Sequence, residues 1–201
     1  MPIIQSRNGK EPIQQEALEA HASSNGSDPV SVRRCCWKKP STGTVKINVD
    51  GSFIIENGQS SIGVIARNGK GEILFSAARM LVGCRSAEEV ELQAIYEGLN
   101  LASVWIQEPV SCETECAEAA KAINKPGKDL LCCCFLINDI KKKVSSSNVI
   151  SVTNIKRECN RVAHSLAAQA RTCNSIGFWL GYVLILSEPL LLEDCSQYAM
   201  E

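Results

Sequence analysis

Polar and apolar positions alternate from Val45 onward: Val45, Ile47 and Val49 share one side of an extended segment, and Lys46, Asn48 and Asp50 share the other. Side chains of a strand point to its two faces in turn, so residues 45–52 read as a strand with Asp50 turned away from the apolar face. Two more strands, 62–67 and 72–77, flank Asn68-Gly69-Lys70-Gly71. An Asn-Gly pair followed by a second glycine supplies the positive φ that a tight hairpin needs, so the chain opens as an antiparallel meander. Ser86-Ala87-Glu88-Glu89 has the form of a capping box, Ser86 accepting from the backbone near Glu89 and Glu89 reaching back, and starts a helix that runs to about Trp105. On that helix Ala87, Glu91, Ala94, Ile95, Gly98 and Ala102 recur at helical spacing on the inward stripe, whereas Glu88 and Glu97 face water.

The pattern continues with a strand at 110–115 and a short helix at 117–123, stopped before Pro126-Gly127. A helix at 130–144 carries Lys141-Lys142-Lys143 in its last turn, where cations suit the helix dipole. A β-branched strand at 149–153 and a final helix at 160–173, capped by Asn160, complete the order βββ-α-β-α-α-β-α. That order predicts an α/β domain with a mixed five-stranded sheet, an antiparallel meander of strands 1-2-3 plus parallel strands reached through helical crossovers, and flanking helices. Asp50 and Glu115 each close a strand of the parallel set, where α/β sheets collect ligands. Glu91, drawn inward, needs a partner, and a cation is one.

Residues 1–36 lack this periodicity and read as a disordered leader; 37–173 form the domain; 174–201 are an apolar tail containing Phe178-Trp179-Leu180 and Leu190-Leu191-Leu192. The tail is expected to fold back in part, the alternative being an association surface. With 201 residues and a net charge of −1, the chain can bury a core and offers no bulk-charge argument for nucleic acid or membrane. Locally, no acid separates Asp28 from Asp50 while Arg33, Arg34, Lys38, Lys39 and Lys46 are basic, which is either a phosphate-contacting arm or a solubilising linker. Eleven cysteines without an apolar signal core point to a reducing compartment, nucleus or cytoplasm, with thiols acting as small hydrophobes. They lack the paired short spacings of zinc hooks, and no apolar run reaches the ~20 residues of a membrane span.

Five segments in order carry a family likeness: Lys46-Ile47-Asn48-Val49-Asp50-Gly51-Ser52, Gly63-Val64-Ile65-Ala66-Arg67-Asn68, Glu91 to Leu99, Glu113-Thr114-Glu115-Cys116, and Asn160-Arg161-Val162-Ala163-His164-Ser165-Leu166-Ala167. Together they resemble the plant branch of the type 1 ribonuclease H family, the reverse-transcriptase-associated domains of non-LTR retroelements, over Trp37 to Arg171. The resemblance implies a two-metal nuclease that hydrolyses the RNA strand of an RNA:DNA hybrid, with Mg²⁺ or Mn²⁺ as cofactor and nucleic acid as partner; neither a membrane nor a protein partner is indicated. Carried over by position, Asp50, Glu91 and Glu115 would hold metal, and His164 would complete the catalytic set. Active members have aspartate at the last two positions, so Glu115 adds about 1.5 Å of reach, one carbon–carbon bond. Imidazole at 164 suits softer metals than Mg²⁺ and can instead move a proton or contact phosphate.

Each position also has a plainer reading. Asp50-Gly51 is an ordinary strand-end turn, Glu91 a helix carboxylate that reaches out to water, Glu113 and Glu115 the solvated face of an edge strand, and His164 a surface residue one turn into a helix. The second functional class consistent with the sequence is a catalytically silent binding or interaction module that keeps the fold.

Overall fold

The side of strand β1 (Val45–Phe53) that the polar alternation marks is as deeply buried as its apolar side: Asn48 and Asp50 are fully covered, like Ile47 and Val49. The computed structural model describes residues 36–127, 133–174, 176–183, 187, 189–191 and 194. The expected leader lies outside the described residues except for Cys36, as do the first residues expected for the helix at 130–144.

Strand β1 pairs antiparallel with β2 (Ser60–Arg67), which pairs antiparallel with β3 (Ile73–Leu81). The β2–β3 turn is closed by Asn68, whose side-chain oxygen accepts from the backbone N–H of Lys70 and Glu72, and Gly71 carries the positive φ. On its other side β1 runs parallel to β4 (Val110–Thr114), and β4 parallel to β5 (Val149–Asn154). The connections hold α1 (Ala87–Trp105), α2 (Ala117–Asn124) and α3 (Cys134–Ser146); a one-turn 3-10 helix, Arg157–Cys159, leads into α4 (Arg161–Cys173). Ser86 accepts from the Glu89 N–H as expected, while Glu89 returns to the N–H of Arg85.

The sheet has six strands, not five, in the order β5-β4-β1-β2-β3-β6. The added strand, β6 (Gly177–Leu180), comes from the stretch expected as tail and pairs antiparallel with β3. Four residues are too short for alternation to announce a strand; what places it is Phe178, whose ring packs on Phe75 at 5.6 Å and Trp105 at 5.2 Å between centroids. Val183 then enters the core beside Ile65, Val162 and Leu166.

Two apolar layers sandwich the sheet. Val45, Ile47 and Val49 with Ile62, Val64 and Ala66 pack under α1, α2 and α3, while Ile65 and Ala78 pack under Val162, Ala163, Leu166 and Ala170 of α4. Each large aliphatic so covered contributes about 1.5–3 kcal/mol. Beneath α4's side of the sheet, polar residues of β1, β2 and β4 close on one another. The Asn48 side-chain N–H donates to Glu113 at 2.8 Å, and Arg67 donates to Asn48 at 3.1 Å and to Asp194 at 2.8 Å.

Two plainer readings are therefore corrected. Strand β4 lies between β1 and β5, so Glu113 is not on the solvated face of an edge strand but buried in an ion pair with Lys46 at 2.8 Å. Lys46 is thereby removed from the basic arm, because its ammonium is already partnered. Arg67 lies over the Trp37 ring at 3.4 Å, which ties the segment before β1 to this network. Among the described residues no helix is long and apolar enough to cross a membrane.

A candidate metal centre at the end of the parallel strands

Strands β1 and β4 stay in register up to Val49 and Thr114 and then part, since β4 ends while β1 continues along β2. Asp50 and Glu115 are the first residues past that fork. The backbone there is tied down from the neighbouring segment: the Asn154 side chain donates to the Glu115 carbonyl at 2.9 Å and the Ile155 N–H to that of Thr114 at 2.9 Å.

Two glycines bring the helices in. Asp50 pairs with Gly63 across the β1–β2 ladder, so both face α4. A Cβ on Gly63 would lie 2.2 Å from the Ala163 carbonyl and 2.5 Å from the Ala167 nitrogen; its absence lets α4 descend onto the sheet. Gly51 faces the other way, and a Cβ there would lie 2.9 Å from the Glu91 nitrogen, so α1 sits as close on its own side. Helices α1 and α4 thus both begin over the same end of β1 and deliver Glu91 and His164 to Asp50. Asn160 fixes the second of these: it stands at the N-cap of α4 as expected, but its side chain makes no capping hydrogen bond and instead donates to the Val49 carbonyl at 2.9 Å.

His164 Nδ1 lies 3.0 Å from Asp50 Oδ2 and 3.7 Å from Glu115 Oε1. Asp50, Glu115 and His164 each offer a ligand atom within 4.8 Å of the others, and they are the one such group among the described residues. Glu91 stands beside this group rather than in it, with Thr114 Oγ1 at 3.5 Å from its carboxylate. The structure therefore brings three of the expected residues into one cluster and the fourth to its flank.

The electrostatics follow from crowding acids in a dry place. Burial, and after it the hydrogen bond and charge of Glu115, push the Asp50 carboxyl up to about 9 against the pull of Arg157. Burial, then the charges of Asp50 and Glu115, push Glu91 up to about 8 against hydrogen bonds from the Gly51 backbone and Thr114. Burial and then Arg157 lower the His164 imidazole from its ordinary value, against the pull of Glu115 and Glu91, which favours the neutral ring.

Asp50 Oδ1 is buried without a hydrogen-bond partner. A solvent-excluded carboxyl oxygen without a donor, amid other acids, fits a bound divalent cation, and the oxygen donors of Asp50, Glu91 and Glu115 have the chemistry that hard divalent ions take. Sequence reasoning did not find Arg157, whose guanidinium reaches His164 Nε2 at 2.9 Å and lies 3.9 Å from Glu115. It lies on a one-turn 3-10 helix, seven positions before His164, too short for periodicity to mark it.

Residues 48–170 match the reverse transcriptase-like family. The chain belongs to this family. As a reverse transcriptase-like chain with an RNase H-like domain, it is 27% identical over 174 residues to a protein of Arabidopsis thaliana provisionally named a ribonuclease H protein. That alignment takes in 83% of the chain but 27% of the relative, so the chain spans about a quarter of that relative's length. Solved structures share the fold. The N-terminal RNase H domain of Mycobacterium tuberculosis rv2228c superposes with a TM-score of 0.59 at 16% identity, over 66% of the chain and 96% of that domain. RNase H1 of Halobacterium salinarum gives 0.55 at 18% identity, over 66% and 100%. LC11-RNase H1, solved in complex with an RNA/DNA hybrid, gives 0.56 at 19% identity, over 65% and 98%.

Proposed function

We propose that this RNase H-like domain binds nucleic acid and hydrolyses the RNA strand of RNA:DNA hybrids with Mg²⁺ or Mn²⁺. The observation that carries the reading is the buried, donorless Asp50 oxygen beside Glu115, His164 and Glu91. Asp50, Glu91 and Glu115 would hold the metal. When bound, divalent ions supply the Lewis acidity that activates an attacking water and steadies the leaving oxygen. Asp50 and Glu115 would shape the acidic floor of the site, and Glu91, on its flank, would orient a ribose 2′-hydroxyl, the group that distinguishes RNA from DNA. His164, partly exposed beside Asp50, would act as a proton shuttle or contact phosphate.

A second reading, a binding module without turnover, is favoured by one specific observation. His164 spends Nδ1 on Asp50 itself, where a metal would otherwise bind. Incubating the purified protein with a labelled RNA:DNA hybrid in Mg²⁺ or Mn²⁺ separates the two. Cleavage that disappears in Asp50→Asn supports the nuclease; binding without cleavage supports the silent module. Replacing Glu115 and His164 together by aspartate restores shorter oxygen ligands and should raise cleavage; an unchanged rate would mean that these positions do not limit the reaction.

A further inference from the structure

Arg157, on the 3-10 turn before α4, is a cation in direct contact with the cluster. One guanidinium nitrogen lies 2.9 Å from His164 Nε2, and Nε lies 3.9 Å from Glu115. A guanidinium only donates hydrogen bonds, so His164 Nε2 accepts, and the imidazole proton resides on Nδ1. From there it donates to Asp50 Oδ2 at 3.0 Å. In this arrangement neither ring nitrogen has a lone pair free for a metal: Nδ1 carries the proton and Nε2 is engaged by arginine. Arg157 also sets its positive charge beside Glu115, at the edge of the cluster. Its side chain is 65% exposed and springs from a single helical turn, so it can swing outward without disturbing the core.

We propose that Arg157 is a built-in counter-cation that competes with a divalent ion for Glu115 and holds the His164 ring proton on Nδ1 against Asp50, and that a nucleic-acid phosphate releases it. A planar guanidinium pairs with phosphate through two parallel hydrogen bonds, a better partner than one imidazole nitrogen. Once Arg157 turns to a phosphate, His164 is free to exchange its ring proton and Glu115 loses its competing cation. Metal and nucleic acid then tighten one another's binding, and linkage makes the effect reciprocal. The inference rests on the metal-site reading above and adds a positioning residue to it.

The test is Mn²⁺ binding to the full chain, followed by the electron-paramagnetic signal of free Mn²⁺, without nucleic acid and with a short RNA:DNA hybrid. Without hybrid, Arg157→Ala should bind Mn²⁺ about tenfold more tightly than the parent, the effect in water of removing one charge roughly 6 Å from a divalent ion. Arg157→Lys, which keeps the charge, should stay near the parent. Hybrid should tighten Mn²⁺ binding to the parent and leave the alanine variant almost unmoved. Nitrogen-15 spectra of the parent histidines in chelator supply a readout that needs no variant: His164 should show the Nδ1–H tautomer, and Arg157→Ala should shift it toward Nε2–H. Equal or weaker Mn²⁺ binding by Arg157→Ala, or an Nε2–H tautomer in the parent, overturns the inference while the metal site stands. If neither protein binds Mn²⁺, the metal-site reading itself falls, and this inference with it.

Discussion

Asp50→Asn should make the metal-free protein more stable while abolishing its response to metal. Asp50 is fully buried, and its carboxyl is raised from 3.8 to about 9. At pH 7 the folded chain therefore holds a proton that the unfolded chain has released. The gap between pH 7 and 3.8 is about three units, and at about 1.4 kcal/mol per unit the folded state loses about 4 kcal/mol. Asparagine has the same shape and no charge, and its oxygen can still accept from His164 Nδ1. Because Glu91 shares the same field and is itself raised, part of the penalty stays behind, leaving an expected gain of about 2 kcal/mol, or about 4–8 °C in Tm for a chain of this size. The sign follows from the direction of the shift: a raised acid contributes no penalty below its unfolded value and progressively more as pH rises toward the folded one. The gain should be absent near pH 4, where the unfolded carboxyl keeps its proton, and largest at pH 8–9. Urea unfolding in EDTA at pH 4 and pH 8 measures it directly, and adding Mn²⁺ should reverse the order by stabilising the parent alone. A variant less stable than the parent in EDTA at pH 8, or a gain independent of pH, would refute the reasoning.

The parent itself should lose stability in EDTA as pH rises from about 4 through 8, since Glu91 is raised to about 8 and Asp50 to about 9. A flat Tm profile over that window would mean the acids are better solvated than their positions imply. Gly63→Ala should destabilise the protein by about 1–3 kcal/mol, because both nearest atoms are α4 backbone and cannot yield without moving the helix. An unchanged Tm would show that α4 has room to spare. Glu113→Ala should cost about 3 kcal/mol by leaving Lys46 and Asn48 without their buried partner, yet spare Mn²⁺ binding, as read by chemical denaturation and metal titration in parallel.

Alternation and capping signals in the sequence determined the first strands, the β2–β3 turn at Asn68 and the start of α1 at Ser86, because hairpins and helix ends are written in a few adjacent residues. Family-ordered motifs also picked out Asp50, Glu91, Glu115 and His164. What adjacent residues cannot encode is which face of a strand is covered. The polar side of β1 looks solvated in sequence, but α4 and the Arg67–Asp194 pair bury it, so Asn48 and Glu113 became an internal network and Lys46 left the basic arm. β6 was equally hidden: four residues hold their place through Phe75 and Trp105, one about a hundred positions away, not through a pattern of their own. The approach of His164 to Asp50 depended on a missing side chain at Gly63, and the approach of Arg157 on a single 3-10 turn. By itself the sequence determined which acids the protein carries and on which elements they ride. Only the tertiary structure decided that three of the four chosen residues meet around a buried oxygen, because that depends on how closely two helices approach one sheet, a distance set by packing between segments far apart in the chain.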